Sequence, residues 1–313
     1  MSGWQYEVEW VAAMRGGVIL TKDLVRLGLT QRQSQQATAG LHRLRRGAYA
    51  LDLPDDVTAR HHLRALAVIL VHRTAVALSH TSAAAFYGLP VVDEQLDTIH
   101  LTASGEGLRA GSRNGIYSHR GPLRPGDLSS IDSCPVTSPT RTVLDCGRSL
   151  PLVESVSIAD AALHQGLVDL PGLRRRLIDL GNLVGVPATR RMIYMTDPNA
   201  ESPGETRVRL ILAMAGFHVA SQVEIVNRSG DFLGRVDFKL KGLPVVVEFD
   251  GRAKYSEGRS VEAELWQEKK RHDAIENAGY KVVRVTWNLF ARPAEIIRLV
   301  EEASAVVRAR GAA

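Results

Sequence analysis

The sequence has few cysteines, few aromatic residues and no long uninterrupted apolar run. Its two cysteines, Cys134 and Cys146, are too few for a disulfide framework and do not have Cys-x-x-Cys zinc spacing. Aromatic residues make up 5% of the chain, which predicts mainly aliphatic cores. The longest apolar stretch, residues 63–78, contains Arg64 and Arg73 and is too short and too charged to span a bilayer. The N-terminus also lacks the basic and apolar regions of a signal peptide, so we expect a cytoplasmic protein with reduced thiols and no membrane association.

Length and charge place limits on domain number and partners. A chain of 313 residues is too long for one ordinary core, so two or three domains are expected. We predict a multi-domain α/β protein with domains at residues 1–52, 53–195 and 196–313. The 39 basic and 34 acidic side chains give a net charge of +5. This balance suits a phosphate-rich partner, although many soluble proteins share it.

The first segment is predicted to contain three short helices followed by a β-hairpin. The second helix starts near Thr21 and the third at Thr30, where Thr30 and Gln33 form a capping box. The third helix is polar over most of its surface and ends at Gly40. A strand pair with a basic start follows at residues 41–51. This order of elements is typical of a winged helix-turn-helix domain.

A winged helix of this composition is suited to DNA. Its polar third helix can enter the major groove, where Arg32 and Gln35 are candidates for contact with the bases. Basic side chains of the hairpin can meet phosphates, and the candidates are Arg43, Arg45 and Arg46. The alternative is a small winged helix that docks only protein.

The second segment is predicted to be an α+β domain. Residues 57–78 and 79–89 have helical patterns, residues 97–136 contain several β-rich stretches, and further helices follow Ser138. Its histidines have no recognisable catalytic spacing, so no chemistry is assigned to them. Arg141 and Asp145 lie four residues apart on one helix, which predicts an ion pair.

Three acids in the third segment predict a metal site. Strands are expected at residues 233–240 and 244–250, and alternation within them places Asp237, Glu248 and Asp250 on one face of a hairpin. Carboxylates beside buried apolar residues are costly unless a cation neutralises them. Hard oxygen ligands suit Mg²⁺ or Mn²⁺, and such an ion can polarise a phosphodiester and activate water.

Two further residues complete the candidate catalytic set. Lys254, on the turn after the second strand, can orient the water or stabilise developing charge. Glu205 is an acid in the first turn of a helix that Ser202 caps, and it is the second addition to the catalytic set. The alternative is that Glu205 serves only to cap this helix. The alternative for the acidic set is a solvated polar face on which Asp250 and Gly251 form a turn.

Five motifs in the third segment, in this order, resemble the PD-(D/E)XK nuclease superfamily and, within it, the branch related to the very-short-patch repair endonuclease. They are Ser202-Pro-Gly-Glu205, Arg235-Val-Asp-Phe238, Val247-Glu-Phe-Asp-Gly-Arg-Ala-Lys-Tyr255, Glu268-Lys-Lys-Arg-His-Asp273 and Gly279-Tyr-Lys-Val-Val-Arg-Val-Thr-Trp287. The resemblance covers about residues 200–305. It implies a restriction-endonuclease-like α/β/α domain with a mixed central sheet.

The resemblance also implies roles for individual residues. Asp237 and Glu248 correspond to metal ligands of an endodeoxyribonuclease, and Glu205 to an outer acid. Lys269 or Arg271 would contact phosphate, and the alternative for each is a solvated helix face.

One position departs from the superfamily pattern. The second residue after the Glu is usually Lys, and here it is Asp250. Members of the branch often carry this acid and place a basic residue or His slightly later, where this chain has Lys254. An acid at this position favours an inactive nuclease fold unless Lys254 takes over the role of the usual Lys.

Motifs in the first two segments resemble the AbiEi-type antitoxins of abortive-infection systems. They are Leu44-Arg-Arg-Gly-Ala-Tyr-Ala50, Leu78-Ser-His-Thr-Ser-Ala-Ala-Ala85 and Pro135-Val-Thr-Ser-Pro-Thr-Arg-Thr-Val-Leu-Asp145. The resemblance implies binding to operator DNA, repression of the protein's own operon, and a cognate toxin as partner.

Three functional hypotheses follow from the sequence. The first is a metal-dependent endodeoxyribonuclease targeted to DNA by a winged helix. The second is an antitoxin-like repressor whose nuclease fold is inactive. The third is a DNA-repair accessory, with a repair protein as partner, that recognises damaged or mismatched DNA.

Overall fold

The computed structural model describes residues 3–72, 75–103, 109–251 and 261–311. Within these ranges the chain is a multi-domain α/β protein with twelve α-helices and three sheets, two of which are mixed. It divides into two compact units. The first comprises Met1–Ile158 and Leu167–Arg191, and the second comprises Ala159–Gly166 and Met192–Ala313.

The first unit begins with a helical segment and a small antiparallel sheet of order β1-β3-β2. Its elements are α1 (Gly3–Ala13), β1 (Val18–Leu20), α2 (Thr21–Arg26), α3 (Gln31–Ala39), β2 (His42–Arg45) and β3 (Ala48–Ala50). The predicted capping box of α3 is confirmed, because Thr30 Oγ1 accepts from Gln33 N and Gln33 Oε1 accepts from Thr30 N at 2.8 Å. Strand β1 is a finding of the structure that the sequence pattern did not reveal.

The rest of the first unit surrounds a six-stranded mixed sheet of order β6-β7-β5-β4-β9-β8. Its strands are β4 (Ala77–Leu78), β5 (Ile99–Ala103), β6 (Gly111–Arg113), β7 (Ile116–Arg120), β8 (Leu128–Ile131) and β9 (Cys134–Thr137). Its helices are α4 (Val57–Val71), α5 (His80–Phe86), α6 (Pro139–Ser149), α7 (Leu152–His164, which continues past Ile158), α8 (Leu170–Asp179) and α9 (Val186–Met195, of which Val186–Arg191 belong to this unit).

The predicted helix over residues 57–78 is wrong at its C-terminal end. Helix α4 stops at Val71 because His72 adopts an extended backbone conformation. Ala77 and Leu78 instead form β4, which pairs with β5 and β9. The predicted ion pair in α6 is confirmed, since Arg141 Nε lies 2.7 Å from Asp145 Oδ2.

One apolar cluster joins the two parts of the first unit. It contains Val18 and Leu20 of β1, Ala48 of β3 and Ala67 of α4, all buried. The predicted boundary between residues 52 and 53 therefore falls inside a single compact unit. Both cysteines are buried free thiols, as predicted.

The second unit contains a four-stranded mixed sheet of order β10-β11-β12-β13. Its main elements are α10 (Pro203–Met214), β10 (Val219–Val226), β11 (Phe232–Leu240), β12 (Val245–Asp250), α11 (Val261–Asn277), β13 (Lys281–Thr286) and α12 (Pro293–Gly311). Strands β12 and β13 are parallel, and the other neighbours are antiparallel.

Helices cover both faces of this sheet. One buried cluster joins α10 and α12 to Phe238, Val247 and Phe249. A second joins Ile275 of α11 to Val246. Strand β12 is therefore buried along most of its length, as is usual for a central strand with helices on both sides.

None of the helices in the described ranges combines the length and the apolar character that a bilayer crossing requires.

Candidate functional site

A cavity of about 360 Å³ in the second unit collects acidic and basic side chains. Five carboxylates and three guanidinium groups line it, namely Glu201, Asp237, Glu248, Asp250, Glu268, Arg235, Arg271 and Arg284. The described lining therefore has a formal charge of −2. An excess of carboxylates in a partly enclosed space favours a cation as occupant.

Asp237 and Glu248 come from neighbouring antiparallel strands. The pairing of Phe238 with Val247 places Asp237 of β11 beside Glu248 of β12. The backbone N–H of Phe249 donates to Asp237 Oδ2 at 2.7 Å and helps to fix that carboxylate. The two acids that sequence reasoning paired thus line one cavity.

Glu248 is nearly buried and has a basic partner. Its residue exposure is 9%, and its Oε1 lies 2.8 Å from Nη1 of Arg271 on α11. The same guanidinium donates to the backbone carbonyl of Arg235 at 3.1 Å. Arg271, a candidate phosphate contact, is thus held inside the cavity by protein groups.

Asp250 also lines the cavity, but it is exposed at the end of β12. Among the residues that the structure describes, no three carboxylates bring one oxygen each within 4.8 Å of one another. The three predicted acids therefore line one cavity, but their carboxylate oxygens do not all lie within 4.8 Å of one another. Asp237 and Glu248 still provide a pair of hard oxygen donors, and Mg²⁺ is commonly held by one or two carboxylates. The donor set fits Mg²⁺ or Mn²⁺ on this chemistry.

Glu205 is buried outside the cavity lining and is held by several hydrogen bonds. Its carboxylate accepts from Ser202 Oγ at 2.7 Å, from Glu201 N at 3.0 Å and from Gln222 Nε2 at 2.9 Å. Ser202 Oγ in turn accepts from Glu205 N and caps α10. These contacts match the capping role that was the alternative for Glu205. Lys254 falls within residues 252–260, outside the described residues.

The predicted DNA contacts differ in exposure. Those with exposed side chains are Arg32 and Gln35 of α3, Arg43 and Arg46 of the hairpin, and Lys269 of α11. Arg45 is only partly exposed, and its Nη1 is buried with no hydrogen-bond partner among the described residues. Burial lowers the pKa of Arg45. Arg45 is therefore less accessible to a phosphate than Arg43 or Arg46.

The first unit contains a histidine cluster to which sequence reasoning assigned no chemistry. His80 begins α5, His100 lies in β5 and His119 lies in β7. Nδ1 of His100 and Nε2 of His119 are 2.8 Å apart, and the rings of His80 and His119 stack with centroids 3.5 Å apart. Ligand atoms of the three lie within 4.8 Å of one another.

His80 is buried, and His100 and His119 are partly buried. Burial lowers the pKa of His100 to about 4. Burial, with the neighbouring histidines, lowers the pKa of His119 to about 3. Burial, with His100 and nearby arginines, holds the pKa of His80 well below its usual range. All three rings are thus neutral at pH 7, each with a lone pair on one nitrogen.

Comparisons with known proteins name no function. No protein-family model matches the chain. Two curated relatives are "Uncharacterized protein MT2308" and "Uncharacterized protein Rv2248" from Mycobacterium tuberculosis, strains CDC 1551 / Oshkosh and H37Rv respectively. Each is 25% identical to this chain over 252 residues, which covers 80% of this chain and 87% of the relative.

Proposed function

We propose that this protein binds DNA and carries a divalent-metal-dependent endodeoxyribonuclease domain of restriction-endonuclease-like fold in its third segment. The observation that supports this most directly is the placement of Asp237 and Glu248. They lie on adjacent antiparallel strands and line one cavity with an excess of carboxylates. The motif resemblance and the helices on both faces of a mixed sheet support the same fold.

Asp237 and Glu248 would hold Mg²⁺ or Mn²⁺, with Asp250 at the exposed end of the strand. When bound, such an ion supplies Lewis-acid polarisation of a phosphodiester and a more acidic water. The Phe249 N–H orients Asp237, and Arg271 neutralises Glu248. Arg235 and Arg284 line the same cavity and would meet phosphate oxygens.

The N-terminal segment would act as a winged helix that positions the protein on DNA. The polar helix α3 exposes Arg32 and Gln35, which suits contact with base edges. The hairpin exposes Arg43 and Arg46, which suits contact with the phosphate backbone.

A second candidate is an AbiEi-like antitoxin or repressor whose nuclease fold is inactive. Two observations favour it. Asp250 stands where the superfamily usually has Lys, and Arg271 already supplies a counter-charge to Glu248. The partners would then be operator DNA and a cognate toxin.

A cleavage assay separates the two candidates. The full chain is incubated with Mg²⁺ or Mn²⁺ and with single-stranded, duplex, mismatched and branched DNA. The nuclease proposal expects strand cleavage that Asp237→Asn and Glu248→Gln abolish. Glu224→Gln, which changes an exposed acid on the neighbouring strand β10, is the matched control and should retain cleavage. Wild-type protein that binds duplex DNA but cleaves none of these substrates would overturn the nuclease proposal and support the repressor.

A further inference from the structure

The His80, His100 and His119 cluster has the composition of a transition-metal site. The three residues come from one helix start and two neighbouring parallel strands, β5 and β7, whose register pairs His100 with Tyr117 and Thr102 with His119. One ring nitrogen from each lies within 4.8 Å of the others. Three neutral imidazoles with lone pairs in one place are ligands that Zn²⁺ and similar dications prefer, unlike the oxygen donors of Asp237 and Glu248.

We propose that His80, His100 and His119 bind one borderline dication of the Zn²⁺ type in the first unit. This site is separate from the acidic cavity and does not rest on the proposed nuclease function. In a tetrahedral zinc site with bonds of about 2.0–2.1 Å, ligand nitrogens are roughly 3.3 Å apart. The three nitrogens, now within 4.8 Å of one another, reach that spacing when the side chains rotate.

The His80 ring must make the largest movement. It lies nearly parallel to the His119 ring, with 13° between the planes, whereas a shared ion must lie in the plane of each ring. Rotation about the Cβ–Cγ bond of histidine is soft, so the ring can leave the stack by rotation of the side chain. His100 and His119 now share a 2.8 Å hydrogen bond, which the ion would replace.

Two hydroxyl groups lie next to the His80 ring and influence its tautomer. Thr102 Oγ1 donates to Ser79 Oγ at 2.8 Å, and Ser79 Oγ lies 3.0 Å from His80 Nδ1. The Ser79 hydroxyl can in turn donate to Nδ1, and binding of an ion through Nε2 requires the opposite direction, in which Nδ1–H donates to Ser79 Oγ. Such outer-shell hydrogen bonds are usual for metal-bound histidines.

The positive φ of His80 is a further observation in favour of a binding site. His80 is a buried residue other than glycine with φ of +51°, a conformation that costs on the order of 1–3 kcal/mol and tends to occur at functional positions. Its backbone is held on both sides, because Ser79 N donates to His100 O at 3.0 Å and α5 begins directly at His80.

The site has an entry route and an open position. His80 and His119 line a cavity of about 300 Å³. Three protein ligands leave a fourth coordination position that water or an anion can fill. Five arginines also line the cavity, and four of them have carboxylate partners that offset their repulsion of a cation. Arg141 and Arg148 pair with Asp145, and Arg124 and Arg176 pair with Asp179.

The test is metal binding by the full chain without a histidine tag, stripped with a chelator and then titrated with Zn²⁺ or Co²⁺. With excess Mg²⁺ present to compete for the carboxylates of the acidic cavity, we expect one equivalent to bind tightly, the Co²⁺ form to show the strong visible absorption of tetrahedral coordination, and Zn²⁺ to raise the melting temperature. His119→Ala and His100→Ala should weaken binding by at least about 100-fold, the upper end of what an outer-shell change costs. His42→Ala, which changes an exposed histidine on β2, should bind as wild type does.

Melting curves recorded with chelator show whether each variant is folded. The Co²⁺ spectrum of the wild type tests the coordination without any variant. Absence of stoichiometric binding in the wild type, an octahedral Co²⁺ spectrum, or binding unchanged in folded His100→Ala and His119→Ala proteins would overturn the proposal.

Discussion

The ring of Phe249 occupies the space into which a side chain at Gly204 would project. Gly204 lies in the first turn of α10, and Phe249 follows Glu248 on β12. The helix and the strand approach this closely because residue 204 has no Cβ atom. The contact fixes the start of α10, and Glu205 with it, against the strand that carries the candidate site.

We expect Gly204→Ala to lower the free energy of unfolding by about 1–3 kcal/mol, the usual cost of overpacking, even though alanine favours a helix more than glycine does. Urea unfolding measures the change. Phe249→Leu should reduce the penalty of Gly204→Ala, since a smaller side chain leaves room for the added methyl group. Strictly additive losses in the double variant would contradict the contact.

Arg271→Met should destabilise the second unit because it leaves the nearly buried Glu248 without its counter-charge. The Arg271 side chain is 31% exposed, so we expect a loss of about 1–3 kcal/mol at pH 7, below that of a fully buried pair. Mg²⁺ or Mn²⁺ should restore more stability to this variant than to the wild type. Arg235→Met breaks a more exposed pair with Glu201 and should cost about 0–1 kcal/mol. Equal losses in the two variants would show that Arg271 does not neutralise Glu248.

The first unit should lose stability as the pH falls below 6.5, and His61 contributes to the loss. Burial, together with the nearby His62, Arg64 and His100, lowers the pKa of His61 to about 4, although the hydrogen bond to the Leu96 carbonyl opposes this shift. Above pH 6.5 the ring is neutral in both states. Between pH 6.5 and 4 the unfolded chain binds a proton that the folded chain does not, so the free energy of unfolding falls by roughly 3 kcal/mol from this residue.

The His61→Gln variant tests this dependence. His61 Nδ1 lies 2.7 Å from the Leu96 carbonyl, and Nε2 lies 3.0 Å from Ser82 Oγ, so glutamine keeps some hydrogen bonding without titrating. Chemical unfolding at several pH values should show a flatter profile for the variant than for the wild type. Parallel profiles would mean that the His61 ring is not buried in its neutral form.

If the N-terminal segment binds DNA as proposed, Arg43 and Arg46 should contribute more than Arg45. Arg43→Ala and Arg46→Ala should each reduce the slope of log affinity against log salt by about 1, because each removes one phosphate contact. Arg45→Ala should mainly change the melting temperature, since that side chain is partly buried. Binding titrations at several salt concentrations measure the slopes, and an equal slope change in all three variants would contradict the assignment.

Alternation along two strands was sufficient to predict that Asp237 and Glu248 share one face of a sheet. A strand has only two faces, and an antiparallel hairpin brings its strands into direct contact. The pair between Glu248 and Arg271 was not predictable. It depends on the rotation of α11, which is set by the packing of Ile275 against β12 and not by local pattern.

The cluster of His80, His100 and His119 was not predictable from the sequence for a different reason. Strands β5 and β7, which carry His100 and His119, lie within the β-rich stretches expected over residues 97–136, but nothing in their sequences shows that the two strands are neighbours. The parallel pairing of β5 with β7 is likewise set by sheet order and not by sequence neighbours. The left-handed conformation of His80 leaves no signal in the composition around it.

The backbone conformation of His80 has a consequence for mutagenesis, because selection for folding and selection for function would favour different residues at this position. Glycine adopts a φ of +51° without strain, and asparagine does so more readily than most residues. A saturation library at position 80, sorted only for folded protein, should therefore enrich glycine and asparagine above the native histidine. A screen in which histidine wins at this position would show that the packing or the chemistry of the ring outweighs the backbone strain.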